Sequence, residues 1–199
     1  MQIGIAYLLL QASVWTPPGP LDILWMILTT VVIFGFAFNG RYTMQQMGLA
    51  RPPLRAILWI VGVGLALIAA IPTVAALAHA NQGPKHILPL HTAWRYALWA
   101  LEQQFILQSF FYLRLETLLG SRKGVFVAAI LFATVHIPSP VLVFATLVGG
   151  LFFCEMFRRF RNIFPLGLVH AILGLTMAAS FSDSILHHMR VGIGYLRFH

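Results

Sequence analysis

Apolar residues fall in long blocks separated by short polar or proline-marked breaks. A helix needs about 20 apolar residues to cross roughly 30 Å of hydrocarbon. Leu21 to Phe38 is the first clear block, opened by Pro17-Pro18-Gly19-Pro20 and closed by Asn39-Gly40-Arg41. Ala56 to Ala78 is the second, and Trp94 to Leu119 the third, with several polar residues inside it. Gly124 to Ile137 is short and stops at Pro138; Val141 to Phe157 follows the Pro138-Ser139-Pro140 corner; Ile163 to Ala179 is the sixth. Met1 to Trp15 is apolar but short and has no basic start, so it reads as an interfacial, re-entrant or partial span rather than a cleaved signal peptide. The expectation is an all-α bundle of six spans plus this N-terminal segment, one integral membrane domain over residues 1–199.

Composition removes the soluble alternatives. Hydrophobic residues make up 59% and charged residues 9% of the 199 residues, against about 25% charged in soluble domains. Thirteen Lys/Arg and five Asp/Glu are too few to cover a soluble protein of this size. The excess of Lys/Arg could suggest nucleic acid, but its placement points to topology. Arg41, Arg51 and Arg55 follow the first span, and Lys85 alone follows the second. Arg122 and Lys123 follow the third, with Arg114 in its last turns, the fourth loop has no charge, and Arg158, Arg159 and Arg161 follow the fifth. This alternation matches the positive-inside rule. It puts the Arg41, Arg122 and Arg159 loops in the cytoplasm and the Lys85 loop, the Ser139 loop and the tail outside, in a prokaryotic plasma membrane. Gly62, Gly64, Gly149 and Gly150 lie on spans and read as close helix packing.

Polar side chains inside a span are costly and mark functional sites. The third span holds Glu102, Gln103, Gln104 and Gln108; the fourth holds His136 and the sixth His170. At about 1.5 Å per residue, Gln103 and Gln104 lie roughly 15 Å deep, His136 about 18 Å and His170 roughly 10 Å from their points of entry. All fall in the middle zone, so Gln104, Gln108, His136 and His170 are expected to line one polar cavity. On an ideal helix numbered from Arg95, Glu102 falls near about −20° while Gln104 and Gln108 fall near about 180° and 220°. Glu102 is thus expected to point away from the Gln104/Gln108 face, as an upper-leaflet ion pair or hydrogen bond. A catalytic Glu102 requires a distorted or shifted helix. HExxH and CxxC are absent, and two histidines alone make a weak zinc site, so no cofactor is expected.

The stretches Glu102-Gln103-Gln104-Phe105-Ile106-Leu107-Gln108-Ser109, Phe132-Ala133-Thr134-Val135-His136 and His170-Ala171-Ile172-Leu173-Gly174 resemble the motifs of the CAAX prenyl endopeptidase and bacteriocin-processing (CPBP, or Abi) family of intramembrane proteases. The family pattern is EExxxR, then FxxxH, then HxxxN or HxxxD, and the resemblance spans about residues 90 to 180. It implies a peptidase site in which a glutamate activates the attacking water and His136 and His170 position the water and the oxyanion. Phe132 and His136 fit the middle element. Gln103 and Gln104 stand on the two glutamates, Gln108 on the arginine, and Gly174 on the Asn or Asp. Gln can orient a water but cannot take its proton. The acids and the base are replaced together, which keeps polarity and removes charge.

Three functions follow as alternatives. One is a membrane endopeptidase with an altered site, in which Glu102 serves as base with His136 and His170, and Gln103, Gln104, Gln108 and Phe132 contact the substrate. The second is a non-catalytic binder of a membrane helix or lipid tail, acting as a chaperone or complex subunit with a membrane-protein partner. The third is an enzyme acting on an isoprenoid or other lipid. Membrane lipid is a partner in each, and nucleic acid in none.

Overall fold

The computed structural model describes residues 1–85 and 89–197. Helices account for the regular structure among them: α1 (Gln2–Trp15), α2 (Pro20–Phe38), α3 (Leu54–Leu77), α4 (Leu90–Gln104), a π-helical run Phe105–Tyr112, α5 (Leu113–Leu119), α6 (Ser121–Thr134), α7 (Pro140–Phe160), α8 (Phe164–Ser180) and the short α9 (Asp183–Leu186) and α10 (Gly192–Leu196). Proline begins α2 and stands at the first turn of α7 and α8, where its missing N–H would have been unpaired in any case.

Among the described residues, α2, α3 and α7 are long and apolar enough to cross a membrane on their own. α8 and the segment Asp183–Met189 pass only as a pair bent by 119°. The helical membrane bundle is as expected; of the six spans expected, three helices, or four with the bent pair, have the length and composition to cross alone. α6 has 14 residues and α8 has 17, so each is shorter than about 30 Å at 1.5 Å per residue. Only 11% of the apolar window of α3 and 17% of that of α2 is buried in the protein, so these outer faces are solvated by lipid rather than water. The chain is an integral membrane protein built as a helical bundle. Trp59 and Trp94 are exposed in the early turns of α3 and α4, where an aromatic belt meets the interface.

The loops assemble at two opposite ends. At one, Arg161 pairs with Glu116 at 2.6 Å, Asn162 donates to the Ala50 carbonyl, and the Tyr42 hydroxyl donates to the Leu113 carbonyl. At the other, the Ser182 N–H donates to the Ala80 carbonyl and the Gly192 N–H to the Ile137 carbonyl. The basic loops thus share one end, and the Ser139 corner shares the other with the tail. α1 lies lengthwise against α2. Its Gln2 accepts from Arg114, while a Cβ added at Gly192 would run into Val14. That placement fits the partial-span reading of the N-terminal segment.

Two of the four span glycines make close approaches. A Cβ on Gly64 would lie 2.6 Å from a Val169 methyl, and one on Gly150 would lie 3.1 Å from Ala129 Cα. Around Gly62 the space is open, and Gly149 makes only an ordinary contact with Phe153. Close packing therefore joins α3 to α8 and α6 to α7, and these contacts hold the histidine-bearing segments in place.

Candidate active site

One partly open chamber of about 1180 Å³ lies between the helices. Most of its wall is aliphatic or aromatic, with Leu10 and Val14 from α1, Ile71 from α3, Phe144 from α7 and Met189 from the tail. Its polar wall includes Tyr96, Glu102, Gln103, His136 and His170. From α4, the wall receives Tyr96, Trp99 and Gln103, at the three- and four-residue spacing that gives one helix face.

Gln104 and Gln108 are fully buried outside this wall, which corrects the expectation that they line the cavity. Gln103 and Gln104 are about 100° apart on the helix, so when Gln103 faces the chamber, Gln104 turns into the core. There Gln108 Nε2 donates to Gln104 Oε1 at 3.2 Å, and Gln104 Nε2 lies 3.1 Å from His170 Nδ1. An amide nitrogen donates only. His170 Nδ1 therefore accepts, and the ring proton of neutral His170 sits on Nε2. This i,i+4 hydrogen bond between the two glutamine amides continues into the histidine as an uncharged relay. Gln108 Oε1 is buried with no hydrogen-bond partner.

His136 takes the opposite tautomer. Its Nδ1 lies 2.8 Å from the Phe132 carbonyl, which can only accept, so Nδ1 carries the proton and Nε2 keeps its lone pair. The Phe132 ring stands edge-to-face with both His136 and His170, at centroid distances of 5.0 and 5.9 Å. The site therefore offers a bare Nε2 on His136, while the His170 Nε2–H is turned to the Ala100 carbonyl, with an aromatic ring against both histidines.

Glu102 lines the chamber and also a shallow hollow formed with Trp94, Arg95, Leu98 and Trp99, so it sits at a rim. Its carboxylate accepts from the Thr30 hydroxyl at 3.1 Å. The helix-wheel expectation separated Glu102 from Gln104 and Gln108, and the structure does the same, but it is the Glu102 side that meets the chamber. No group of three His, Cys, Asp or Glu suited to a metal ion occurs among the described residues. Sequence reasoning missed Tyr96 and Thr30. Tyr96 is seven residues before Gln103, a helical repeat that could have flagged it; nothing local marks Thr30.

Fold and site define a class: a helical membrane protein with a polar wall enclosed in an apolar chamber. The family model for type II CAAX prenyl endopeptidase Rce1-like proteins matches residues 88–176. That segment contains the Gln103–Gln108 stretch, Phe132, His136 and His170, and over it the chain is similar to the CAAX-protease-like membrane proteins that the model describes. No curated protein and no solved structure matches the chain.

Proposed function

We propose that the chamber binds a membrane amphiphile, a long isoprenoid or acyl chain carrying an uncharged polar group, and that this CAAX-protease-like protein is a binder first. The observation that carries this is the joining of a chamber of about 1180 Å³ to a small wall of amide and imidazole groups. A tail that leaves the bilayer for an apolar cavity exchanges one hydrocarbon environment for another and gains little. Selection then rests on the polar wall. The neutral relay from Gln108 through Gln104 holds His170 without a charge, which suits an uncharged headgroup. A fluorescent farnesyl probe in detergent tests this. Gly149→Phe should abolish binding with little loss of fold, since Gly149 lines the chamber and its Cβ meets only Phe153 at 3.5 Å. Unchanged binding by that variant would refute the chamber as the site.

One observation favours a second reading, peptide cleavage: Glu102 lines the same chamber as His136 and His170. In that case Glu102 is the base and the bare His136 Nε2 orients the attacking water. Cleavage of membrane peptides should then fall at least a hundredfold in Glu102→Gln and in His136→Ala, on the scale of general-base catalysis. Loss in His136→Ala alone would exclude Glu102 as the base.

A further inference from the structure

We infer that the Tyr96 hydroxyl is the hydrogen-bond donor that reads a carbonyl oxygen on the bound guest, a role that rests on the chamber being a binding site. The argument starts at Gly174. A Cβ built there would overlap the Tyr96 hydroxyl oxygen and lie 2.7 Å from Cζ. Any side chain at 174 would therefore displace the phenol. Position 174 is one turn beyond His170 on α8, and it is where the family pattern has Asn or Asp. In this chain the polar group in that space comes from α4 instead. Gly174 is the condition for it, by leaving the volume unfilled.

The chemistry of the neighbours narrows the guest. Tyr96, Gly174, His136 and His170 all line the chamber. His170 Nδ1 is already held by Gln104, and the Ala100 carbonyl lies beside the same ring. His136 presents a lone pair, so it accepts and does not donate to a carbonyl. A phenol O–H is a donor that stays uncharged at neutral pH, and the rim carboxylate of Glu102 disfavours an anionic head. The complement of this wall is an ester or amide carbonyl attached to a long apolar chain.

Two probes with one skeleton test the assignment: farnesyl acetate, which has the carbonyl oxygen, and farnesyl ethyl ether, which lacks it. Each displaces a fluorescent farnesyl probe from the purified full chain in detergent. Wild type should prefer the acetate. Tyr96→Phe, which keeps the ring, should weaken acetate binding about fivefold, the size of one neutral hydrogen bond, and leave ether binding unchanged. Gly174→Ala should erase the same preference by displacing the phenol, and should do nothing further to it in the Tyr96→Phe background. An acetate preference that survives Tyr96→Phe, or equal weakening of both probes, overturns the role of Tyr96 while leaving the chamber reading standing. Wild type that binds neither probe overturns the chamber reading and this role together.

Discussion

Gln104 occupies the middle of a buried relay, and its two neighbours depend on it unequally. Gln104→Met leaves His170 Nδ1 without a partner, while Gln108 keeps its bond to Cys154. A buried orphan costs about 1–3 kcal/mol, so the variant should lose roughly 2 kcal/mol against unfolding in an SDS titration. Gln108→Met strands Gln104 Oε1 but also removes Gln108 Oε1, which is already orphaned. One unpaired oxygen replaces another, and the expected loss is below about 1 kcal/mol. Equal losses in the two variants would contradict the relay. Arg114 shows the same economy of charge. It is 8% exposed and is held by the Phe36 and Phe110 carbonyls and Gln2, with its guanidinium over the Phe110 ring at 4.1 Å.

At the scale of elements, α6 and α7 meet at Gly150, whose missing side chain lets the helix lie on the Ala129 backbone. α6 carries Phe132, and His136 follows two residues after its end. Gly150→Val should force the pair apart at a cost of about 1–3 kcal/mol, the usual range for overpacking, and weaken farnesyl-probe binding with it. Gly62→Ala, which enters open space, should be neutral or slightly stabilising through helix propensity. Thermal unfolding of the two variants in one detergent separates these outcomes. The π-helical run Phe105–Tyr112 is an element of the same importance. All eight of its residues are buried, and it lies between the chamber face of α4 and the Arg114–Glu116 end of α5.

The whole molecule has two chemically distinct ends, one with the Arg161–Glu116 pair and one with the Ser139 corner and the tail. The positive-inside rule predicts that the first is cytoplasmic. In a chain with Cys154 replaced, Ile137→Cys and Arg122→Cys should label from opposite sides of sealed vesicles. Both positions are exposed in the protein. Labelling of both from one side would overturn this orientation. Ser139 itself is buried and caps α7 through the Leu142 N–H, so it is a poor reporter.

The membrane class, the helical architecture and the grouping of basic loops were legible in the sequence, because hydrocarbon length and charge placement are local properties of a chain. The histidines and glutamines stood out for the same reason: each is polar in an apolar run. The ends of α6 and α8 were legible too, at Pro138 and near Ala179, but the 119° bend between α8 and the tail segment was not, since tertiary contacts set it. Nor was it legible which of two adjacent glutamines faces the chamber. One residue is about 100° of rotation, and only the packing of α4 against its neighbours decides that Gln103 faces the chamber and Gln104 the core. The pairing of Tyr96 with Gly174 is likewise tertiary. A glycine's empty volume belongs to whichever neighbour fills it, and here that neighbour lies 78 positions away in the chain and comes into contact only when α4 packs on α8.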